Sequence, residues 1–373
     1  MPDLRRIPQL DGIRGIAILM VLVWHYVSCS VIPDSDRLAR VASKVLGFTW
    51  SGVDLFFVLS GFLITNILLL AKNSPNVFAT FYIRRAFRIL PLYYLLFASF
   101  VGVVTLTPLP KDPRFSLLFE NPLPLGAYAT FTQNIFMGIK GGWGPHWIAV
   151  TWSLAVEEQF YLLAPFAAVL LPRRIFISLV VAGIVFAPAL RWLSPGFHAF
   201  VNTPWRLDSL LMGSLLAIGF QHQKFLTVAA RHFGLLAAMW VSLLAVGCFI
   251  KIRGGFTTQP HFLLALGYGL GILLTLLRQN SPHGRALAHP ILVWFGVRSY
   301  AIYLLHQPVN GLLHGFILGR NPQLVSLSDA WVTSLALVST LALAALSFRW
   351  LEQPLLRFSH RFQYRGEAYV RAS

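Results

Sequence analysis

The stretch Asp11-Gly-Ile-Arg14-Gly-Ile-Ala-Ile-Leu-Met-Val-Leu-Val-Trp-His25-Tyr26 decides the fold. From Ile16 to Ile32 the chain is apolar apart from His25, Ser28 and Ser30, long enough for a membrane helix. Yet it opens on an arginine and carries a histidine near its middle. Arg14 and His25 are eleven residues apart. On an α-helix that is about three turns, roughly 16 Å of rise, and a return to the same face within about 20°. An ionisable side chain inside a membrane costs about 2.5 kcal/mol or more, so this stripe points to function, with His25 as the residue the chemistry uses.

The rest of the chain agrees with a membrane reading. It is 56% hydrophobic and 12% charged, with a mean hydropathy of +0.66. The expected fold is all-α, a polytopic membrane protein of about ten transmembrane helices around an internal polar cavity. The helices fall at about 12–32, 51–71, 89–107, 149–171, 175–193, 205–221, 232–250, 261–278, 291–317 and 329–350. The net charge of +17 does not indicate nucleic acid, because the basic residues sit in short loops between apolar segments. Cys29 and Cys248 lie in apolar helices and support neither a disulfide framework nor a metal site.

Placing the N-terminus in the cytoplasm puts Arg5, Arg6, Lys72, Arg84, Arg85, Arg88, Arg173, Arg174, Lys224, Arg231, Arg278, Arg285 and the tail arginines Arg357, Arg361, Arg365 and Arg371 on that side. The outer loops keep Arg37, Arg40, Lys44, Lys111, Arg114, Lys140, Lys251 and Arg253 beside the acids Asp34, Asp36, Asp112 and Glu120. This asymmetry fits both termini in the cytoplasm. Leu123–Gly138 is short for a span and holds Thr132, Gln133 and Asn134, so it reads as an outer re-entrant or interfacial segment. Pro75–Arg88 reads as an amphipathic segment on the cytoplasmic surface. One membrane domain, 1–373 with a core at about 10–357, takes the whole chain, and 358–373 is a short basic tail.

Several polar residues share the depth of His25. Glu157 and Glu158 lie in the Val150–Leu171 span, and His306 sits mid-span in Ser299-Tyr-Ala-Ile-Tyr-Leu-Leu-His306-Gln-Pro. Adjacent glutamates point about 100° apart on a helix, so one faces a site and holds a histidine or arginine. An ion pair knitting helices together is the alternative for both. Arg85 and Arg88 are neighbours on one helical face and offer two guanidinium forks to a phosphate, or else anchor the chain on anionic membrane lipid. Asp54 and Asp208 stand near helix ends, and either could bind a polar acceptor, cap a helix or pair with Arg206. Cys29 lies one turn past His25, a poor arrangement for a nucleophile pair. Gly267-Tyr-Gly-Leu-Gly lies in a span and reads as close helix packing.

The order of these segments resembles a known family. Leu10-Asp-Gly-Ile-Arg-Gly with His25 beyond it, Ser51-Gly-Val-Asp-Leu-Phe-Phe-Val-Leu-Ser-Gly-Phe-Leu-Ile, Arg85-x-x-Arg88 and Trp152-Ser-Leu-Ala-Val-Glu-Glu-Gln-Phe-Tyr come first. Arg206-Leu-Asp-Ser-Leu-Leu-Met-Gly, Tyr300-Ala-Ile-Tyr-Leu-Leu-His-Gln-Pro and Leu351-Glu-Gln-Pro follow. The chain resembles the acyltransferase-3 family of membrane O-acyltransferases from about Leu10 to Arg357. The resemblance implies His25 as the essential histidine, Arg14 as its partner arginine, and Arg85 and Arg88 as contacts for a cytoplasmic acyl-coenzyme A, most simply acetyl-coenzyme A. It implies a carbohydrate or glycolipid acceptor and a bacterial inner membrane. Some members carry an extracytoplasmic SGNH-type domain that this sequence lacks, so transfer would finish in the membrane domain or pass to a separate acyl-accepting protein. His25 would act as general base or as a covalent acyl relay, with Glu157 or Glu158 orienting it. Asp54 and His306 are candidate substrate contacts. From composition alone a transporter using His25, Glu157 and His306 as a relay is the rival.

Overall fold

The computed structural model describes residues 7–30, 46–254 and 260–365. Among the loop charges counted above, Arg5, Arg6, Asp34, Asp36, Arg37, Arg40, Lys44 and Arg371 lie outside the described residues, as do the side chains of Lys251 and Arg253. Among the described residues every regular element is helical.

A helix stands at each place the hydropathy marks: α1 Pro8–Val23, α2 Gly52–Ala71, α3 Val77–Leu106, α4 Thr151–Leu170 and α5 Arg173–Leu193 in the first half. The second half adds α6 Thr203–Phe220, α7 Phe233–Gly254, α8 His261–Leu277, α9 Pro290–Leu318 and α10 Leu327–Ser347. Seven of the described helical stretches are long and apolar enough to cross a membrane, which makes this an integral membrane protein. The three outside that seven are α8, which is shorter, and α6 and α9, whose apolar runs are broken by Arg206 and Asp208 and by Arg298, His306 and His314.

Two boundaries differ from the sequence reading. The first span closes at Ser28 with a π-helical turn, Trp24–Ser28, a feature frequent at functional sites. The expected surface segment before the third span is part of α3 itself, one continuous helix of 30 residues. The arginine cluster and Pro91 imitate a boundary there, but a proline removes only one helical hydrogen bond, and that turn is packed from outside. Phe358 and Phe362 of the tail lie against Phe87, their ring centroids 5.2 and 6.4 Å away. The tail is docked as far as Arg365. Asn76 Nδ2 donates to the Gln363 carbonyl at 2.9 Å, its Oδ1 accepts from the Arg365 amide at 2.9 Å, and Arg84 Nε donates to the Phe362 carbonyl at 2.7 Å.

Within lipid, helices gain little from hydrophobicity against one another, so small residues and buried polar bonds set the packing. α2 is the hub, touching α1, α4, α6 and α8. Against α6 a Cβ added to Gly61 would lie 1.8 Å from the Leu210 carbonyl oxygen. The α1–α9 pair is equally close, since a Cβ at Gly296 would lie 1.8 Å from the Asp11 carbonyl oxygen. In α8, Gly267 and Gly271 receive Leu244 and Trp240 of α7, the helix packing expected of that motif.

Buried charges on α2 and α6 face each other. Arg206 Nη2 donates to Asp54 Oδ1 at 2.7 Å, His261 Nδ1 lies 3.1 Å from Asp54 Oδ2, and Ser209 Oγ donates to Asp54 Oδ1 at 3.0 Å. Arg191 of α5 donates to Asp208 from both Nη1 and Nη2. The segment 123–138 forms two short helices, Leu125–Ala129 and Gln133–Lys140, neither of crossing length. Its polar residues pin it. Gln133 Nε2 donates to the Thr151 carbonyl at 2.8 Å, and Gln159 Nε2 donates to the Phe131 carbonyl at 2.9 Å and to Asn134 Oδ1 at 3.0 Å.

The α1–α9 contact yields a prediction. Gly296→Leu forces the two backbones apart and should cost about 3 kcal/mol, the upper range for overpacking. Gly102, whose added Cβ meets nothing within 4 Å, is the control. Thermal unfolding in detergent should show a lower midpoint for Gly296→Leu and none for Gly102→Leu.

Candidate active site

The close approach of α1 to α9 brings their polar stripes together around a cavity. Its wall takes Arg14 from α1, Ser60 from α2, Arg85 and Arg88 from α3, Ser153, Glu157 and Tyr161 from α4, and Ser299, Tyr300 and Tyr303 from α9. Three guanidinium groups against the single carboxylate of Glu157 make the lining strongly cationic, a setting for an anionic ligand. Arg14 is steadied from its own helix, its Nη1 donating to Asp11 Oδ1 at 3.0 Å. Arg85 lies over the rings of Phe81 and Tyr161, each 5.8 Å from its guanidinium carbon, and keeps its donors for something else. Arg84, the third arginine of that cluster, is committed to the tail and sits 5.2 Å from the Tyr364 ring centroid.

Three consecutive α4 residues go three ways. Glu157 lines the cavity and accepts from Ser60 Oγ at 3.0 Å and from the Tyr161 hydroxyl at 2.9 Å. Glu158 is outside the lining, within electrostatic reach of Arg85, and its Oε1 is buried with no hydrogen-bond partner. Gln159 holds the 123–138 segment. The expectation that the glutamates diverge is met. Neither is hydrogen-bonded to His25.

The side chain within hydrogen-bond reach of His25 is that of His306. Its Nε2 lies 3.1 Å from His25 Nδ1, with ring centroids 4.8 Å apart. The partners assign the tautomers of two neutral rings. His306 Nδ1 faces only carbonyl oxygens, of Tyr303 at 2.7 Å and Ile302 at 3.2 Å, and so carries the proton. Its Nε2 is then an acceptor. His25 Nδ1 faces that acceptor and the Val21 carbonyl at 3.1 Å, so it too carries a proton. Among the described residues His25 Nε2 has no hydrogen-bond partner, which leaves its lone pair free. The Tyr26 hydroxyl, donating to the His306 carbonyl at 2.9 Å and touching Thr340 Oγ1, fixes the α9 backbone at this level.

His25 does not itself line the cavity. The connection runs through Tyr303, which lines it and whose ring centroid is 5.9 Å from that of His306. The Tyr303 hydroxyl donates to the Val150 carbonyl at 2.9 Å and meets Ser153 Oγ at 2.7 Å. Arg14, Arg85, Arg88 and Glu157 thus share one cavity, with the His25–His306 pair at its α9 edge. Asp54 is not in the lining; it belongs to the Arg206–His261 network between α2 and α6. Sequence reasoning missed Tyr300, Tyr303 and Ser153, hydroxyls whose signal is only their helical spacing from His306 and Glu157. It also missed His146, in the loop ahead of α4, which lies within electrostatic reach of His25. Burial lowers the His146 pKa, favouring the uncharged ring.

The tautomer assignment is checkable without turnover. Nitrogen-15 spectra of histidine-labelled protein should show His25 protonated at Nδ1 alone. In His306→Phe that signal should become a mixture of Nδ1 and Nε2 forms, and an unchanged His25 signal would remove the orienting role.

Comparison with known proteins follows from the same segments. The family model for the acyltransferase-3 domain, described as an acyltransferase domain, matches residues 7–349. The chain is 28% identical to the peptidoglycan O-acetyltransferase OatA of Listeria monocytogenes, over 94% of this chain and 56% of that protein. It is 30% identical to the putative peptidoglycan O-acetyltransferase YrhL of Bacillus subtilis, over 94% and 55%. A putative O-acetyltransferase of Staphylococcus aureus is 27% identical over 94% and 57%. The chain thus spans a little over half the length of these relatives. No solved structure matches. The family match favours the enzyme reading over the transporter: this chain belongs to the acyltransferase-3 family.

Proposed function

We propose that the protein moves an acetyl group from acetyl-coenzyme A, presented from the cytoplasm, to a hydroxyl of a cell-envelope carbohydrate. The observation that carries this reading is the single wall of α9, Tyr300 to His306. It joins a cavity holding three arginines to the His25 imidazole, whose Nε2 has no hydrogen-bond partner among the described residues. A coenzyme A donor is rich in phosphate, and planar guanidinium forks suit phosphate oxygens. Arg14, Arg85 and Arg88 hold it, while the Glu157 carboxylate limits the net positive charge of the cavity. The names of the relatives support a glycan acceptor of the peptidoglycan type. The excess of Lys and Arg in the loops on the Arg85 side supports a donor entering from the cytoplasm across a bacterial inner membrane, with both termini inside.

In the reaction His25 Nε2 takes the proton of the acceptor hydroxyl as its oxygen attacks the thioester carbonyl. The carbon–sulfur bond then breaks, coenzyme A leaves as the thiol with that proton, and the ester remains on the carbohydrate. The developing positive charge on His25 is shared through its Nδ1–H with the His306 lone pair. A separate acyl-accepting protein is not required by this scheme. The rate falls as pH drops and His25 takes up a proton of its own.

Donor binding is tested with purified protein in liposomes and labelled acetyl-coenzyme A. Removing one charged phosphate contact costs about 1.5–3 kcal/mol. Arg85→Ala and Arg88→Ala should therefore each raise the donor KM roughly 10–100-fold, with a smaller change in kcat. Arg84→Ala should leave the donor KM unaltered. A KM unchanged in both Arg85 and Arg88 variants would refute the phosphate role.

A further inference from the structure

A second cavity, sharing no lining residue with the polar one, runs along a different side of α1. It encloses about 710 Å³, within the range of ligand sites. α7 packs along α8 and leaves the gap between itself and α1 open. Ile13, Ile16 and Met20 of α1 form one wall, Phe233 and Trp240 of α7 the other, and Ile272 of α8 contributes to the lining. Almost every lining atom is apolar. An apolar crevice of this size beside a barely buried span, α7, stands in lipid rather than water.

One end is different. Around it the chain runs Arg278-Gln-Asn-Ser-Pro-His283-Gly-Arg285-Ala-Leu287, and from Arg278 to Arg298 there are three arginines and no carboxylate. His283, Ala286 and Leu287 line the crevice. The Arg278 guanidinium sits 3.9 Å from the centroid of the Phe233 ring that also lines it. Arg285, adjoining Ala286, is held by donation from its Nη1 to the Asn280 carbonyl at 2.8 Å. All three basic side chains are exposed. A long apolar channel ending in fixed cations matches one ligand chemistry, an acyl chain attached to an anionic headgroup.

We propose that this crevice binds one anionic glycerophospholipid, its acyl chain along α1 and its phosphate at Arg278, His283 and Arg285. Bound there, the lipid fills the space between α7 and the helix that carries Arg14 and His25. The proposal does not depend on the catalytic reading, because its readouts are binding and stability.

Trp240 is the reporter, since it lines the crevice and is exposed enough to replace without opening the core. Purified protein in neutral detergent is titrated with dibrominated phosphatidylglycerol or dibrominated phosphatidylcholine while tryptophan emission is followed. Phosphatidylglycerol should quench at a concentration at least tenfold lower than phosphatidylcholine, and Trp240→Phe should lose that component. The Arg278→Gln, Arg285→Gln double variant should need about tenfold more phosphatidylglycerol, and unbrominated phosphatidylglycerol should raise the melting midpoint of wild type more than that of the variant. Ala286→Phe, which narrows the mouth without removing charge or adding a fluorophore, should weaken quenching as well. Equal quenching by the two lipids, or quenching unchanged in the charge variant, overturns the proposal. A polyprenyl phosphate that displaces phosphatidylglycerol at a lower concentration overturns the choice of occupant.

Discussion

The distance between α1 and α9 governs everything the site can do. Two helix backbones touch where Gly296 meets the Asp11 carbonyl, close enough that no side chain fits between them. Only at that separation can a side chain from each helix meet at hydrogen-bond distance further along, as His25 and His306 do. The π turn at Trp24–Ser28 and the Tyr26 bond to the His306 carbonyl complete the alignment. A buried imidazole without a partner would be costly in lipid. Here each ring satisfies the other, and the chemistry keeps one nitrogen.

The buried and half-buried polar residues divide into two sets with different work. One surrounds the cavity: Arg14, Arg85, Arg88, Glu157 and the hydroxyls of Tyr161 and Tyr303. The other is scaffold: Asp54 with Arg206 and His261, Asp208 with Arg191, and Gln133 and Gln159 around the short outer helices. Arg206 lies fully buried among Phe57, Trp152 and Phe200, with ring centroids 5.5 to 5.9 Å from its guanidinium. Removing one member of such a buried pair typically costs about 3–5 kcal/mol, because the survivor is left charged and unpaired. The two sets are interleaved on α2 and α4, so neighbouring residues of one motif serve opposite ends.

That interleaving explains what was legible in the sequence. Apolar runs marked where each long helix stands, and the Arg14–His25 spacing identified the stripe that matters, because both follow from local periodicity. The divergence of Glu157 from Glu158 was legible for the same reason. Partners in space were not. Nothing in a periodic pattern says that His306 rather than a glutamate would meet His25, or which of the roles open to Asp54, the Arg206 pair among them, it takes. The continuity of α3 through Arg84–Pro91 was hidden because its support comes from Phe358 and Phe362, far along the chain. The lipid-facing crevice left no contiguous motif, since its walls are mostly apolar residues drawn from seven separate helical elements.

The central claim is that His25, oriented by His306, takes the proton from the acceptor. It is tested most directly in liposomes containing purified protein, with labelled acetyl-coenzyme A and a peptidoglycan-derived glycan, comparing wild type with His25→Ala. General-base catalysis is worth about 10²–10⁴-fold, so the account predicts a loss of label transfer of that order with donor binding retained. Transfer to the glycan at the wild-type rate by His25→Ala would contradict it.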